Sequence, residues 1–184
     1  MDYSEKSAVI SSCGVYRYRL RREWRELGIN EHWNWETDEP LSVLFIMLNP
    51  STADADKDDP TIRRCVRFAR DWGYERMDVV NLFAARSTNP VKLYNLKNPI
   101  GPDNELHVSA AIAQAGLVIC AWGNLGAYTG QDQVMLAWLA KHRLSPAHEP
   151  YVLRLNANKM PAHPLYVPKQ ARPVRWFPVG WQDL

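Results

Sequence analysis

Cysteine is scarce in this chain. The 184 residues hold three, Cys13, Cys65 and Cys120. They are far apart, odd in number and form no Cys-x-x-Cys pair, which excludes a zinc ribbon and a dithiol redox motif. Nor can they supply the four thiolates of an iron–sulfur cluster. Cys65 and Cys120 lie within apolar patterns and read as buried free thiols in a reducing compartment. Long hydrophobic runs are missing as well. No stretch approaches the roughly 18 consecutive apolar residues of a membrane span. The first residues, MDYSEKSAVI, have neither a basic region nor an apolar core of the kind that marks a secretory signal. The expectation is a cytoplasmic protein with no membrane partner. Charge of one sign is also lacking: 22 Lys and Arg against 20 Asp and Glu leave a formal +2. So mild an excess permits nucleic-acid binding without arguing for it, because a basic footprint needs clustering on one face. No repeat, low-complexity tract or domain boundary interrupts the chain. Its length, with 46% hydrophobic and 23% charged residues, suits one globular domain over 1–184, expected as a monomer.

Aromatics are plentiful, with eight tryptophans. Trp33 and Trp35 fall in EHWNWETDEP, which suits a hydrophobic flap over a sheet edge or an exposed stacking surface. Residues 13–24, CGVYRYRLRREW, alternate between apolar residues and arginine and predict a half-exposed antiparallel strand near an edge. Val43–Leu48 is a continuous apolar run, as expected for a strand covered on both faces. Asp59-Pro60 starts a helix with an acidic cap and proline at its first position. Ile62, Cys65, Val66, Ala69 and Trp72 make its inner face, and Gly73 ends it. Met77–Phe83 is a second apolar strand broken only by Asn81. A proline-containing connection leads to a helix from about Asn104 to Ala115. A strand, LVICAW (117–122), follows and ends at Gly123. A helix over Gln131–His142 and a strand, YVLRL (151–155), complete the pattern before a proline-rich tail.

Strands and helices therefore alternate. The fold class is α/β: a three-layer α/β/α arrangement with a central four-stranded parallel sheet and an N-terminal antiparallel strand at its edge. Ligands in such sheets bind outside the carboxyl ends of the strands. The segments there are Asn49-Pro50-Ser51-Thr52, Asn81 to Arg86, Trp122-Gly123-Asn124, and Asn156 to His163-Pro164. The abrupt change from VLFIM to NPSTADADKDD thus reads as the floor of a pocket.

Taken in order, "LNPSTAD", "DDPTIRRC", "VNLFAARSTNP", "GPDN", "AWG" and "HPLY" resemble the signature of a bacterial and phage family, domain of unknown function 1643, over about Tyr16 to Tyr166. Those strand-end segments are also similar to the uracil-DNA glycosylase superfamily. The first strand of that superfamily ends in a motif such as Gly-x-Asn-Pro-Gly, here Met47-Leu48-Asn49-Pro50-Ser51, without either glycine. A middle strand carries an asparagine that reads the base, here Asn81, followed by Arg86 and Pro90. A later strand ends in glycine, here in VICAWGN. The last motif, His-Pro-Ser and a DNA-intercalating loop, corresponds to His163-Pro164-Leu165-Tyr166, with leucine in place of serine. No carboxylate stands at the position of Asn49.

The resemblance implies a DNA glycosylase-like protein of DNA repair. It would bind a base flipped out of DNA, single- or double-stranded, or a nucleotide, and hydrolyse the N-glycosidic bond without a cofactor or metal. Its catalytic residues would be Asn49, orienting water through its amide oxygen, and His163, donating to the departing base. Pro50, Ser51, Asn81, Phe83, Gly123, Asn124 and Tyr166 would line the base site. Asn81 offers a donor and an acceptor to a base edge, and Phe83 or Tyr166 would stack on it. Arg86, Lys169, Arg172 and Arg175 would hold phosphates.

Each residue also has a plainer reading. Asn49 before Pro50 suits a turn. Asn81 suits a structural hydrogen bond in a buried strand, and His163 a turn before Pro164. The basic residues of the tail suit a solvated face. The acidic run Asp54, Asp56, Asp58 and Asp59 is not an EF-hand loop, because Asp59 stands where glycine is needed and Cys65 where glutamate is needed. Asp54, five residues beyond Asn49, is instead a candidate catalytic carboxylate, with a solvated loop as its alternative. Two other functions stay open: a catalytically silent nucleic-acid or nucleotide-binding module, and a hydrolase of another small substrate with a carboxylate from this loop as its base.

Overall fold

The computed structural model describes residues 2–24, 41–142 and 148–181. The Trp33–Trp35 segment, expected as a flap or a stacking surface, lies outside the described residues. The strands are β1 (Glu5–Ile10), β2 (Arg17–Glu23), β3 (Ser42–Met47), β4 (Arg76–Asn81), β5 (Leu117–Cys120), β6 (Pro150–Val152) and β7 (Val174–Arg175). The α-helices are α1 (Pro60–Asp71), α2 (Asn104–Ala113) and α3 (Gln131–His142).

All seven strands join one mixed sheet in the order β1-β2-β4-β3-β5-β6-β7. Its middle is parallel: β3 pairs with β4 and β5, and β5 with β6. Antiparallel strands extend it on both sides, β2 and β1 beyond β4 and β7 beyond β6. This corrects two expectations. The sheet has seven strands instead of four with one edge addition, and β2 lies inside the edge because β1 pairs outside it. The sequence concealed β1 because EKSAVI has little apolar alternation and most of its residues are exposed or half-exposed. Pairing with β2 makes it a strand.

Side-chain alternation along the buried strands divides the core in two. Leu44 and Ile46 of β3 join Val118 and Cys120 of β5 under α2 and α3. Val43, Phe45 and Met47 point the other way, with Ile119, onto α1. Helices thus cover both faces, which is why VLFIM is apolar without a break. The α1 helix begins where its residues require. Asp59 accepts the Ile62 amide at 2.9 Å, and Pro60 occupies the first turn. Gly73, at φ +85°, lets the chain leave the helix and enter β4.

The expected alternation in β2 fails in an informative way. Tyr18 and Leu20 are buried, but so are Arg17 and Arg22. Arg22 donates through Nε to Asp58 at 2.8 Å and through Nη2 to the carbonyls of Asp54 and Lys57. Arg17 donates through Nη1 to the Ala53 carbonyl at 2.8 Å. The acidic loop after β3 is therefore tied down by two buried cations. Its backbone and the Asp58 carboxylate satisfy the donors of Arg22, whereas Arg17 uses Nη1 alone and its Nε is buried without an acceptor.

Candidate functional site

From β3 the chain crosses through α1 to β4 on one face of the sheet, then through α2 to β5 on the other. The carboxyl end of β3 is a switch point of this kind, where diverging connections leave a crevice. A cleft of about 540 Å³ opens there. Its walls come from the ends of β3, β4 and β5, the start of α1 and the segments around Ser87, Gly123 and His163.

Asn49 lies at the end of β3 and is held by its amide nitrogen, which donates to the carbonyls of Ser87 at 2.7 Å and Pro50 at 2.9 Å. Two carbonyl partners fix the amide's orientation. Its Oδ1 accepts nothing from the described residues and keeps its access to solvent. Asn81 closes β4. It is 1% exposed, lines the cleft, and has no hydrogen-bond partner on either Nδ2 or Oδ1. Its backbone carbonyl is held instead by Asn104 Nδ2 at 3.0 Å. A buried amide with both ends free is costly unless something else satisfies it.

Gly123, just beyond β5, has φ +76° and ψ −172°, a region only glycine occupies without strain. That backbone carries the chain from Trp122 into a 3-10 turn at Asn124–Gly130. Trp122 is buried in the cleft wall, and its indole N–H has no acceptor. At the rim Asn156 donates to Asn124 Oδ1 at 2.6 Å. His163 caps the short 3-10 turn Pro164–Tyr166, accepting the Leu165 amide on Nδ1 at 3.3 Å. With Nδ1 accepting, the proton sits on Nε2, which has no partner among the described residues. Burial pulls the imidazole below its ordinary pKa, and Asp59 opposes this only in part. His163 therefore stands as a neutral N–H donor.

The cleft brings together seven of the residues expected there: Asn49, Ser51, Asn81, Gly123, Asn124, His163 and Tyr166. The others fall elsewhere. Pro50 is buried, and its carbonyl accepts the Ser87 amide at 2.9 Å, so it shapes the wall without lining it. Asp54 folds back on its own loop. Its carboxylate accepts the amides of Asp56 and Lys57, each at 2.9 Å, and those bonds hold it below the usual carboxylate range. Phe83 is in the core under α2 and α3 and offers no stacking face. Arg86 reaches toward the Gly14 carbonyl at 3.4 Å.

The tail carries its cations away from the cleft. Arg172 donates to the Asp71 carbonyl at the far end of α1, and Lys169 lies in the same shallow depression. Arg175 pairs across to Tyr151 in β6 and meets Glu149 at 3.5 Å. The chain runs down the side of α1 after Tyr166, so proximity in sequence to His163 did not become proximity in space.

Sequence reasoning missed Arg17 and Asp59 as cleft residues, and it placed Trp122 at the right strand end without giving it a role. Asp59 is the helix cap that the sequence predicts, but its Oδ2 accepts no hydrogen bond from the described residues. Its signal was present: a helix starting at a strand-end crevice points its cap into that crevice. Arg17 had no such signal. Among the described residues, no three His, Cys, Asp or Glu side chains are grouped to hold a metal ion. Likewise no described helix is long and apolar enough to cross a membrane.

The motifs that build this cleft also carry the family relationship. Residues 17–165 match the family described as "Protein of unknown function (DUF1643)". The chain belongs to that family. The matched region of this DUF1643 member begins at Arg17 and ends at Leu165, so it spans the cleft from β2 to the turn after His163. Comparison with curated proteins and with solved structures returned no match.

Proposed function

We propose that this protein binds a nucleobase extruded from DNA and hydrolyses its N-glycosidic bond. The observation that carries the reading is Asn81: a buried, unpartnered amide at a strand end, offering one donor and one acceptor to a planar ligand edge. The similarity of the strand-end motifs to those of uracil-DNA glycosylases supports the same assignment. So does the parallel middle of the sheet, with the cleft at its carboxyl ends.

The chemistry follows from the cleft residues. Breaking the bond leaves its electron pair on the base and positive charge on the sugar. Asn49 Oδ1, held open by the two carbonyls on its nitrogen, accepts from a water and orients it toward the sugar carbon. His163 donates from Nε2 to the base oxygen where negative charge develops. Asp59 takes the proton the water loses as the new C–O bond forms, or passes it to solvent. An amide at position 49 is not a base, so the carboxylate needed for proton removal comes from α1's cap. The exposed Tyr166, at the mouth beside the His163 ring, gives the base a stacking face.

The free Oδ2 of Asp59 also favours a second reading, a hydrolase of a different small substrate that uses this carboxylate as base. Oligonucleotides carrying uracil, hypoxanthine or modified pyrimidines, in single and double strands, separate the two. Abasic product from the wild type that is lost in Asn49→Ala and His163→Ala supports the glycosylase. Absence of product with nucleotide binding intact assigns a silent binding module. Absence of both removes the nucleic-acid reading and leaves the small-substrate hydrolase.

A further inference from the structure

Two arginines of β2 are buried on the side of the acidic loop, and they are used very differently. Arg22 is saturated: Nε meets Asp58, Nη1 the Arg21 and Ser7 carbonyls, and Nη2 the carbonyls of Asp54 and Lys57. Arg17 is 2% exposed, yet only Nη1 is used, on the Ala53 carbonyl. Its Nε is sealed from solvent without an acceptor. Its Nη2 has no acceptor either and is not sealed, so it opens onto the cleft that Arg17 lines. Arg17 makes no ion pair among the described residues, and Asp59, the acid that acts on it most strongly, has already committed Oδ1 to the Ile62 amide. Burying a guanidinium this way is costly, and the cost is offset when an anion arrives.

The rest of the cleft suits an anion. The hydroxyls of Ser51, Thr61 and Thr88 line it and make no hydrogen bond among the described residues. The amino end of the twelve-residue helix α1 opens there too. The one opposing feature is Asp59, which narrows the anion's place to the Arg17 side. Burial also pulls Arg17 down to about 10, which leaves it fully charged at neutral pH.

We infer that the cleft holds an anion subsite centred on the Arg17 guanidinium, which takes a phosphate group carried by the same ligand whose base meets Asn81. The inference rests on the nucleobase reading for its second half only. The phosphate belongs either to a free mononucleotide or to the backbone of a strand. A planar guanidinium fork suits both.

Calorimetric titration of nucleosides and their 5′-monophosphates, including those of uracil and hypoxanthine, tests it. The phosphate is expected to tighten binding by about ten-fold or more in the wild type. That gain, read as the ratio of monophosphate to nucleoside affinity within each variant, should shrink in Arg17→Lys and vanish in Arg17→Met. A gain seen only with short oligonucleotides, and erased by neutral methylphosphonate linkages, identifies the strand backbone as the source. Inorganic phosphate supplies a probe free of any base, since it should raise the melting temperature of the wild type and not of Arg17→Met. Arg17→Lys keeps the comparison usable if the methionine variant does not fold. Equal affinity for nucleoside and phosphate forms, with no phosphate shift, overturns the subsite and leaves the base reading standing. A phosphate shift that depends on Arg17, without binding of any nucleoside, upholds the subsite and overturns the base reading.

Discussion

Arg22 Nε meets Asp58 Oδ1 at 2.8 Å, joining a strand near one side of the sheet to the loop that follows its central strand. The same guanidinium holds the backbone of that loop at Asp54 and Lys57. Asn49 and Asp59, the two ends of the loop, both line the cleft. The position of the candidate water-holding amide relative to the candidate carboxylate thus depends on an arginine that touches neither.

Arg22→Met removes the cation and leaves two loop acceptors, Asp58 Oδ1 and the Asp54 carbonyl, without that donor, while the Lys57 carbonyl keeps the Asp54 amide. The expected loss is about 3–5 kcal/mol of stability, the usual cost of breaking a buried ion pair from one side. Denaturant unfolding measures it. A loss below about 1 kcal/mol would show that the loop holds its shape without Arg22.

Asn81→Ala should behave in the opposite way. The side chain has no hydrogen bonds to lose. Stability is expected to stay within about 1 kcal/mol of wild type. Ligand binding should fall about ten-fold or more, since a bidentate edge contact is removed. Melting curves and calorimetry on the same preparations decide. Strong destabilisation with unchanged binding would make Asn81 a structural residue.

Gly123→Ala places a side chain where φ is +76° and ψ is −172°. Strain of about 1–3 kcal/mol is expected. There is room for the methyl group, whose nearest neighbour would be His163 Cβ at 3.7 Å, so the cost is backbone strain and not a clash. The strain is relieved by moving the chain that carries Trp122 and Asn124, and activity should fall with stability. Thermal melts beside abasic-site assays test both effects.

His163 titrates below its ordinary pKa because burial disfavours its charge. Between that lowered value and about 6.5 the unfolded chain binds more protons than the folded one. Stability should therefore rise with pH across that window and then level off, and His163→Gln should lose this part of the slope. Proton NMR of the imidazole gives the folded pKa directly. A value at or above the ordinary one would remove the neutral-donor role.

Asp78 shows the reverse sign. Its carboxylate is buried in β4, which alone would raise its pKa, but Arg19 at 2.9 Å and Arg21 at 3.0 Å outweigh burial and hold it below the usual range. Its contribution to stability is complete above about pH 4 and is lost as pH falls through the lowered value. Asp78→Asn should cost about 3 kcal/mol near neutrality and flatten the acid limb of the stability curve. An unchanged acid limb would assign acid unfolding to other carboxylates.

Much of the parallel middle of this protein was legible in its residues. VLFIM is apolar without interruption because helices cover both faces of β3. Asp59-Pro60 starts α1, and Gly73 ends it. The strand ends, read as a set, gave Asn49, Asn81, Gly123 and His163, and the cleft contains all four. Those features are local: periodicity, caps and breakers act within a few residues. Only the tertiary structure decided the rest. The strand β1 exists through pairing with β2, not through a pattern of its own. The two arginines of β2 that are buried, and the aspartates that serve as anchor, turn or cleft wall, depend on partners such as Arg22 and Asp58, 36 residues apart. Nor could the sequence tell that the tail would turn down α1 and carry Lys169, Arg172 and Arg175 away from His163. Charge and hydrogen-bond partners are chosen in space, and a side chain's type states what it needs without stating where it will find it.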